Sequence, residues 1–209
     1  CGTCDNCVTG IPQHCREFIP RNLTGARSDG STPLSKDGSP VLGAWFGQSS
    51  WARHAVVEER NAIKVDADLP LDILGPLGCG IQTGAGAVLN TLNPPAGSSI
   101  AIFGMGSVGL AALLGAVVAG CTTIVAVDID DSRLETARRF GATHTVNSTS
   151  VDAPEEIVRI TDGGSRFSVD CIGLPSVVPA AINCLQTPGT CATVGFQGLP
   201  NEVTIDQGN

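Results

Sequence analysis

Ile100-Ala101-Ile102-Phe103-Gly104-Met105-Gly106-Ser107-Val108-Gly109 is the stretch on which the fold turns. Four apolar residues run straight into G-x-G-x-x-G, and an apolar segment of helical length, Ser107 to Ala119, follows. A short apolar run before such a turn predicts a strand buried on both faces, with the next segment a helix packed on it. The glycines divide the work in that setting. Gly104 permits the tight turn, Gly106 lets the backbone approach a pyrophosphate, and Gly109 lets helix and strand pack closely. The helix N-terminus then offers unpaired N–H groups to an anion. With 26 glycines in the chain the motif alone is weak; its place between strand and helix gives it weight.

Outward from this turn, strand and helix alternate. Thr123 to Val127 is predicted as a strand and Asp131 to Phe140 as a charged amphipathic helix stopped by Gly141. Thr143 to Val146, Phe167 to Cys171 and Thr190 to Val194 are the further expected strands, with helices over Glu155 to Thr161 and Val177 to Leu185. That rhythm predicts a parallel, doubly wound sheet. At the end of the second strand stands Asp128. A carboxylate there can accept from both ribose hydroxyls and would repel a 2′-phosphate, which favours NAD over NADP. Arg133 can reach the same ribose or can be a solvated helix residue, and both readings stay open.

Upstream the pattern is different. The first fifty or so residues show no sustained period and are dense in Cys, Gly, Pro, Ser and Asp, as irregular loops are. Beyond them Ala55-Val56-Val57 and Ala62-Ile63-Lys64-Val65 read as short strands, and Asp68 to Asp72 as the start of a helix. Cys1, Cys4, Cys7 and Cys15 form C-x2-C-x2-C-x7-C, so four thiolates from one loop can surround one ion. Four sulfurs make a closed tetrahedral zinc site, structural because no position is left for substrate. Iron–sulfur runs use other spacings and often a Pro after the last Cys, where Arg16 stands here. Cys79 is a lone thiol among glycines, and spacing alone reads it as a small packing residue. Cys121, Cys171, Cys184 and Cys191 lie in expected strands or helices and read as packing residues too, while His14, His54 and His144 show no ligand spacing.

Composition bounds the class. The chain has 209 residues, 42% hydrophobic and 15% charged, enough for one large domain or two small ones without disulfide staples. Twelve basic against twenty acidic residues leave a net charge of −8, which argues against nucleic acid. Nine cysteines, an odd count with four in the first fifteen residues, fit metal better than a disulfide framework. Ile73 to Val127 holds no charged side chain, but Gly and Pro punctuate it, so it reads as buried strand and helix and no membrane span is expected. No secretory signal opens the chain, and a cytoplasmic protein is the expectation.

These pieces together resemble the zinc-containing, medium-chain alcohol dehydrogenase family. The likeness covers nearly the whole chain: the four-Cys lobe, the G-C-G-x-x-T-G junction Gly78 to Gly84, the G-x-G-x-x-G turn, the acidic ribose residue and Gly141-Ala142-Thr143. Phe46-Gly47-Gln48-Ser49-Ser50, Glu59-Arg60-Asn61-Ala62 and Leu74 to Gly84 look most like aryl-alcohol (benzyl-alcohol type) dehydrogenases. The resemblance implies an α/β fold in which a doubly wound Rossmann sheet follows part of a GroES-like, β-rich catalytic domain. Residues 1–80 would be that partial catalytic domain with its structural zinc lobe, and residues 81–209 the NAD-binding domain without its last strand.

The resemblance also assigns roles. Cys79 matches the third protein ligand of a catalytic zinc, joining a Cys and a His from upstream, and Thr83 matches a Thr that touches the nicotinamide. Ser107 and Val108 join the three glycines at the pyrophosphate, and Ile129 and Arg133 join Asp128 at the ribose. Cys171, Ile172, Val194, Gly195 and Phe196 would floor the dinucleotide, and Trp45 and Phe46 would stand against substrate. The implied reaction is reversible oxidation of a primary, aromatic alcohol to the aldehyde, with zinc as Lewis acid and NAD as hydride acceptor. Its partners are a small-molecule alcohol or aldehyde and further copies of the protein in a homo-oligomer. The upstream Cys, the G-H-E ligand segment and the proton-relay hydroxyl do not occur in these 209 residues. The chain therefore reads as an excerpt, inactive alone. Polyol or formaldehyde dehydrogenase, zinc-free reductase and non-catalytic dinucleotide-binding module are the competing readings of the same fold.

Overall fold

The structure is a computed structural model of the chain and describes residues 1–48, 50, 52–57, 59–198 and 200–205. Ser49, within one of the aryl-alcohol-like motifs, lies outside the described residues. The chain divides into two compact units, Cys1–Leu69 and Pro70–Asn209.

The first unit is loop-rich. Helix α1 (Asp5–Val8), a 3-10 turn (Pro12–His14) and α2 (Phe18–Asn22) follow the first cysteines. Strands β1 (Leu34–Lys36) and β2 (Ser39–Val41) pair antiparallel across Asp37-Gly38. Both turn residues have positive φ, 50° and 76°, as a two-residue hairpin turn that matches strand twist requires. Further 3-10 turns cover Trp45–Gly47 and Glu59–Asn61. The strands expected at 55–57 and 62–65 do not form. A strand needs a partner edge, and Val56 and Ile63 instead stand 89% and 82% exposed. Ala44 is the one buried apolar side chain among the described residues of this unit, so it has no hydrophobic core of its own.

In the second unit α3 (Leu71–Leu74) and a 3-10 turn (Gly75–Gly78) lead into α4 (Gly80–Gly86). A π-helical turn (Ala87–Leu92) continues α4 and is closed by Asn93 in the left-handed region. The compact units divide at 69/70, eleven residues before the domain boundary expected at 80/81. Residues 70–80 run directly into α4, whose flank packs on the next helix, so they fold with the second unit.

From here strands and helices alternate: β3 (Ser99–Phe103), α5 (Ser107–Val118), β4 (Thr123–Asp128), α6 (Asp131–Arg139), β5 (His144–Asn147), α7 (Ala153–Thr161), β6 (Ser165–Asp170), α8 (Val177–Asn183) and β7 (Leu185–Thr193). All pairings in the sheet are parallel, in the order β5-β4-β3-β6-β7. Strand alternation splits the core cleanly. Ile100, Ile102, Ile124, Ala126, Phe167 and Val169 join one cluster with residues of α5 and α6. Ala101, Phe103, Val125, Val127 and Val146 join the other, with Ala153 and Ile157 of α7 and Ala181 of α8. Both faces are covered, which is why the central strands β3 and β4 read as unbroken apolar runs.

The last strand starts earlier than its sequence suggests. The expected strand began at Thr190, whereas β7 begins at Leu185 and includes Thr187-Pro188-Gly189. The register jumps from Leu185 opposite Ser165 to Thr190 opposite Phe167, so Pro188 sits in an irregularity of this edge strand where no ladder hydrogen bond is asked of it.

Candidate functional site

Because every strand of the sheet points the same way, the C-terminal ends of β3, β4, β6 and β7 meet along one edge. Strand order reverses between β3 and β6, where such sheets open a crevice. A cavity of about 810 Å³ lies there. Gly104, Gly106, Ser107, Val108, Gly109, Asp128, Ile129, Arg133, Cys171, Ile172, Val194, Gly195 and Phe196 all line it. The structure thus brings together every residue assigned to the dinucleotide except Thr83.

The turn does what glycine alone allows. Gly104 has φ +92°, and a Cβ there would fall 2.6 Å from Ile172 Cγ1. A Cβ at Gly109 would fall 1.7 Å from the Gly104 carbonyl oxygen, so helix and strand meet backbone to backbone. Gly106 faces open space, leaving room for a ligand against the main chain. No side chain caps α5. In contrast, Asp130 accepts from Ser132 N at the start of α6, and Asp152 from Glu155 N at the start of α7. The N–H groups of the first turn of α5 are left for an anion.

Asp128 is 5% exposed. Its Oδ2 accepts from Met105 N at 2.6 Å, and its Oδ1 from Ile129 N at 2.8 Å and Asp130 N at 3.0 Å. A carboxylate offers about four acceptor positions, so three backbone donors leave little of it open. Asp128 therefore ties the glycine turn to the β4 end as well as facing the cavity. Arg133, more than half exposed, stands 3.8 Å from Asp128 Oδ2 and 4.0 Å from Asp130 Oδ2, an ion-pair spacing of small energetic weight.

Cys79 and Thr83 sit on α4. Cys79 is exposed at its N-terminus, and Thr83, partly buried, donates its N–H to the Cys79 carbonyl. Position 80 abuts the start of α5, where an added Cβ would lie 3.1 Å from Ser107 Oγ. One turn on, a Cβ at Gly84 would fall 2.0 Å from the Val108 carbonyl oxygen. Close glycine packing thereby locks the helix carrying Cys79 and Thr83 to the helix behind the glycine turn. Trp45 and Phe46, edge to face at 5.7 Å, belong to the first unit, are about half exposed, and line neither this cavity nor the one beside the cysteine loop.

In the first unit the Sγ atoms of Cys1, Cys4, Cys7 and Cys15 all lie within 4.8 Å of one another. A tetrahedron with Zn–S near 2.3 Å has S···S edges of about 3.8 Å, so small side-chain movements close the four thiols on one zinc ion. Backbone N–H groups of Arg16 and then Cys7 lower the Cys4 thiol to about 7. Among the described residues no other His, Cys, Asp or Glu group is arranged to hold a metal. His14 stays outside; its carbonyl accepts from Asn6 Nδ2 at 2.6 Å, and Arg16 pairs with Asp5 across the loop.

The family model described as zinc-binding dehydrogenase matches residues 107–209. Geraniol dehydrogenase of Castellaniella defragrans is 47% identical over 202 residues, 96% of this chain and 53% of that protein. Residues 107–209 belong to the zinc-binding dehydrogenase family, and the chain as a whole is similar to the zinc-containing, medium-chain alcohol dehydrogenases. Two solved structures of the family superimpose with a TM-score of 0.91 each. An alcohol dehydrogenase zinc-binding domain protein from Burkholderia ambifaria is 47% identical and is matched over 99% of this chain and 56% of its own. The benzyl alcohol dehydrogenase of Acinetobacter calcoaceticus is 44% identical, matched over 100% and 56%. The fold is accordingly the Rossmann sheet preceded by part of a GroES-like domain, and the chain spans about half the length of the relatives it matches.

The remaining thiols differ sharply in surroundings. Burial pushes Cys184 up to about 12, and burial with the Asp170 charge does the same to Cys171. Cys79 is open to solvent. Because the thiolate is the nucleophile, maleimide at neutral pH should label Cys79 roughly a hundredfold faster than Cys184, read by peptide mass spectrometry. Equal rates would contradict this placement. Sequence reasoning passed over one residue that organises the site, Asp170; its signal was a carboxylate within an expected strand of the parallel sheet.

Proposed function

We propose that these residues are the dinucleotide-binding domain and structural zinc lobe of an NAD-dependent zinc alcohol dehydrogenase that oxidises primary aromatic alcohols. The observation that carries this reading is the strand-end cavity, with the uncapped start of α5 on one wall and buried Asp128 on the next. In this reading the first-turn N–H groups of α5, with Gly104, Gly106, Ser107, Val108 and Gly109, hold the pyrophosphate. Asp128, Ile129 and Arg133 hold one ribose and its base, while Cys171, Ile172, Val194, Gly195 and Phe196 support the other half. Thr83 orients the nicotinamide from α4. NAD, when bound, supplies the hydride acceptor, and the protein supplies position and a water-poor wall. The first unit is read as the end of a catalytic domain, with Trp45 and Phe46 as its apolar, ring-accepting side chains.

The four-cysteine loop fits a structural zinc. A catalytic zinc is different: among the described residues no group of three or more ligating side chains includes Cys79, so they do not form that site. The aromatic preference draws support from motifs similar to aryl-alcohol dehydrogenases and from the structure whose name specifies benzyl alcohol. We read the complete protein as a cytoplasmic homo-oligomer acting on small molecules; among the described residues no helix is long and apolar enough to cross a membrane.

The test is titration of NADH and NADPH against the wild-type chain and an Asp128→Ser variant, with the thermal midpoint measured alongside. NADH should bind wild type more tightly than NADPH. In the variant NADH should weaken by about tenfold to a hundredfold, as loss of charge-assisted hydrogen bonds does, while NADPH changes less or improves. Unchanged discrimination in a folded variant would remove Asp128 from the site.

A further inference from the structure

Asp170 closes β6 at the switch point and is 0% exposed. No cation lies in its hydrogen-bond set. Its Oδ1 accepts from Ile172 N and Gly173 N, both at 3.0 Å, and its Oδ2 accepts from Gly173 N at 3.1 Å. Its own carbonyl accepts from Val194 N at 2.9 Å and Gly195 N at 3.1 Å. One residue therefore grips both turns that floor the β6–β7 side of the cavity. These turns also touch each other: a Cβ at Gly195 would fall 2.0 Å from Gly173 N, and Gly173 has φ +78°. From outside, Gln197 Nε2 donates to the Ile172 carbonyl at 2.7 Å and Asn201 Nδ2 to the Gly173 carbonyl at 2.8 Å.

A buried carboxylate is expensive unless its acceptors are filled, and backbone N–H groups fill them here only if residues 171–173 keep this turn. We propose that Asp170 is a positioning residue: its carboxylate and carbonyl set the relative height of the Cys171–Gly173 and Val194–Gly195 turns, and so the fit of the half of the dinucleotide that lies beyond the pyrophosphate from Asp128. This rests on the dinucleotide reading given above. It adds that the two halves of the ligand are held by two separate carboxylate-organised turns, Asp128 at β4 and Asp170 at β6.

Asp170→Asn is nearly isosteric but points an amide donor at backbone donors. The probes are NADH, which spans both sides, and 5′-AMP, which needs only the Asp128 side; the full chain is titrated with each, and the thermal midpoint is recorded. In Asp170→Asn the Kd for NADH should rise about tenfold or more while that for AMP changes less than about twofold, since the lost bonds lie on one side only. Equal weakening of both ligands would mean general loosening of the domain and would overturn the proposal, as would unchanged NADH binding. If Asp170→Asn does not fold, Asn201→Ala carries the test by releasing the Gly173 carbonyl: a rise of about threefold for NADH alone supports the proposal, and no change overturns it. Wild type that binds neither probe would overturn the dinucleotide reading itself, a result distinct from either variant outcome.

Discussion

Stripping zinc from the four-cysteine loop, by chelator under reducing conditions or by Cys15→Ser, should unfold the first compact unit while the parallel sheet of the second persists. The reason lies in what that unit has buried. Among its described residues Ala44 is the one buried apolar side chain, and its regular structure amounts to short helical turns and two three-residue strands. Ordering a residue costs on the order of 1–2 kcal/mol of backbone entropy, and one alanine cannot offset fifteen of them. Structural zinc contributes about 10–16 kcal/mol of apparent binding energy in small domains at neutral pH, which is of the right size. The four Sγ atoms already lie within 4.8 Å of one another. Metal analysis should find one zinc per chain, and limited proteolysis after chelation should cut within residues 1–69 and spare the sheet. A protease-resistant, zinc-free first unit would refute the assignment.

The second large effect concerns turnover. Cys79 stands exposed at the head of α4, and among the described residues no group of three or more metal-ligating side chains includes it. A catalytic zinc takes three protein ligands and keeps one position open. Residues 1–209 by themselves should therefore bind NADH, carry a single zinc and show no benzyl alcohol oxidation above background. In the complete protein Cys79→Ala should bring turnover to background and lower the zinc count from two to one per subunit, the remaining ion being that of the cysteine loop. Turnover by the 209-residue chain, or two zincs in the complete Cys79→Ala protein, would show that Cys79 has another role.

Local order along the chain was enough for the Rossmann half. The unbroken apolar strands could be seen because a parallel sheet covered on both faces leaves no polar alternation, and the glycine turn because φ +92° at Gly104 and the backbone contact at Gly109 admit no side chain. The clustering of the four cysteines was legible for a similar reason: all four lie within fifteen residues, so spacing and geometry are nearly the same thing. Ala55–Val57 and Ala62–Val65 show the limit. Their composition suits strands, yet strand formation depends on a partner edge that composition does not specify. Strand β7 starts before the expected Thr190, at Leu185, because the ladder to β6 resumes across an irregularity at 186–189 that local composition does not specify.

Residue types and their spacing along the chain determined the fold class, the four-cysteine cluster and the glycine turn, because each depends on neighbours close in sequence. Only the tertiary structure decided what the two carboxylates do. Asp128 and Asp170 are far apart in the chain and end different strands, and parallel pairing on either side of β3 brings both to one edge, where each is buried and committed to backbone N–H groups. A buried carboxylate must find donors, and which donors it finds is a property of the packed sheet rather than of any short stretch of sequence.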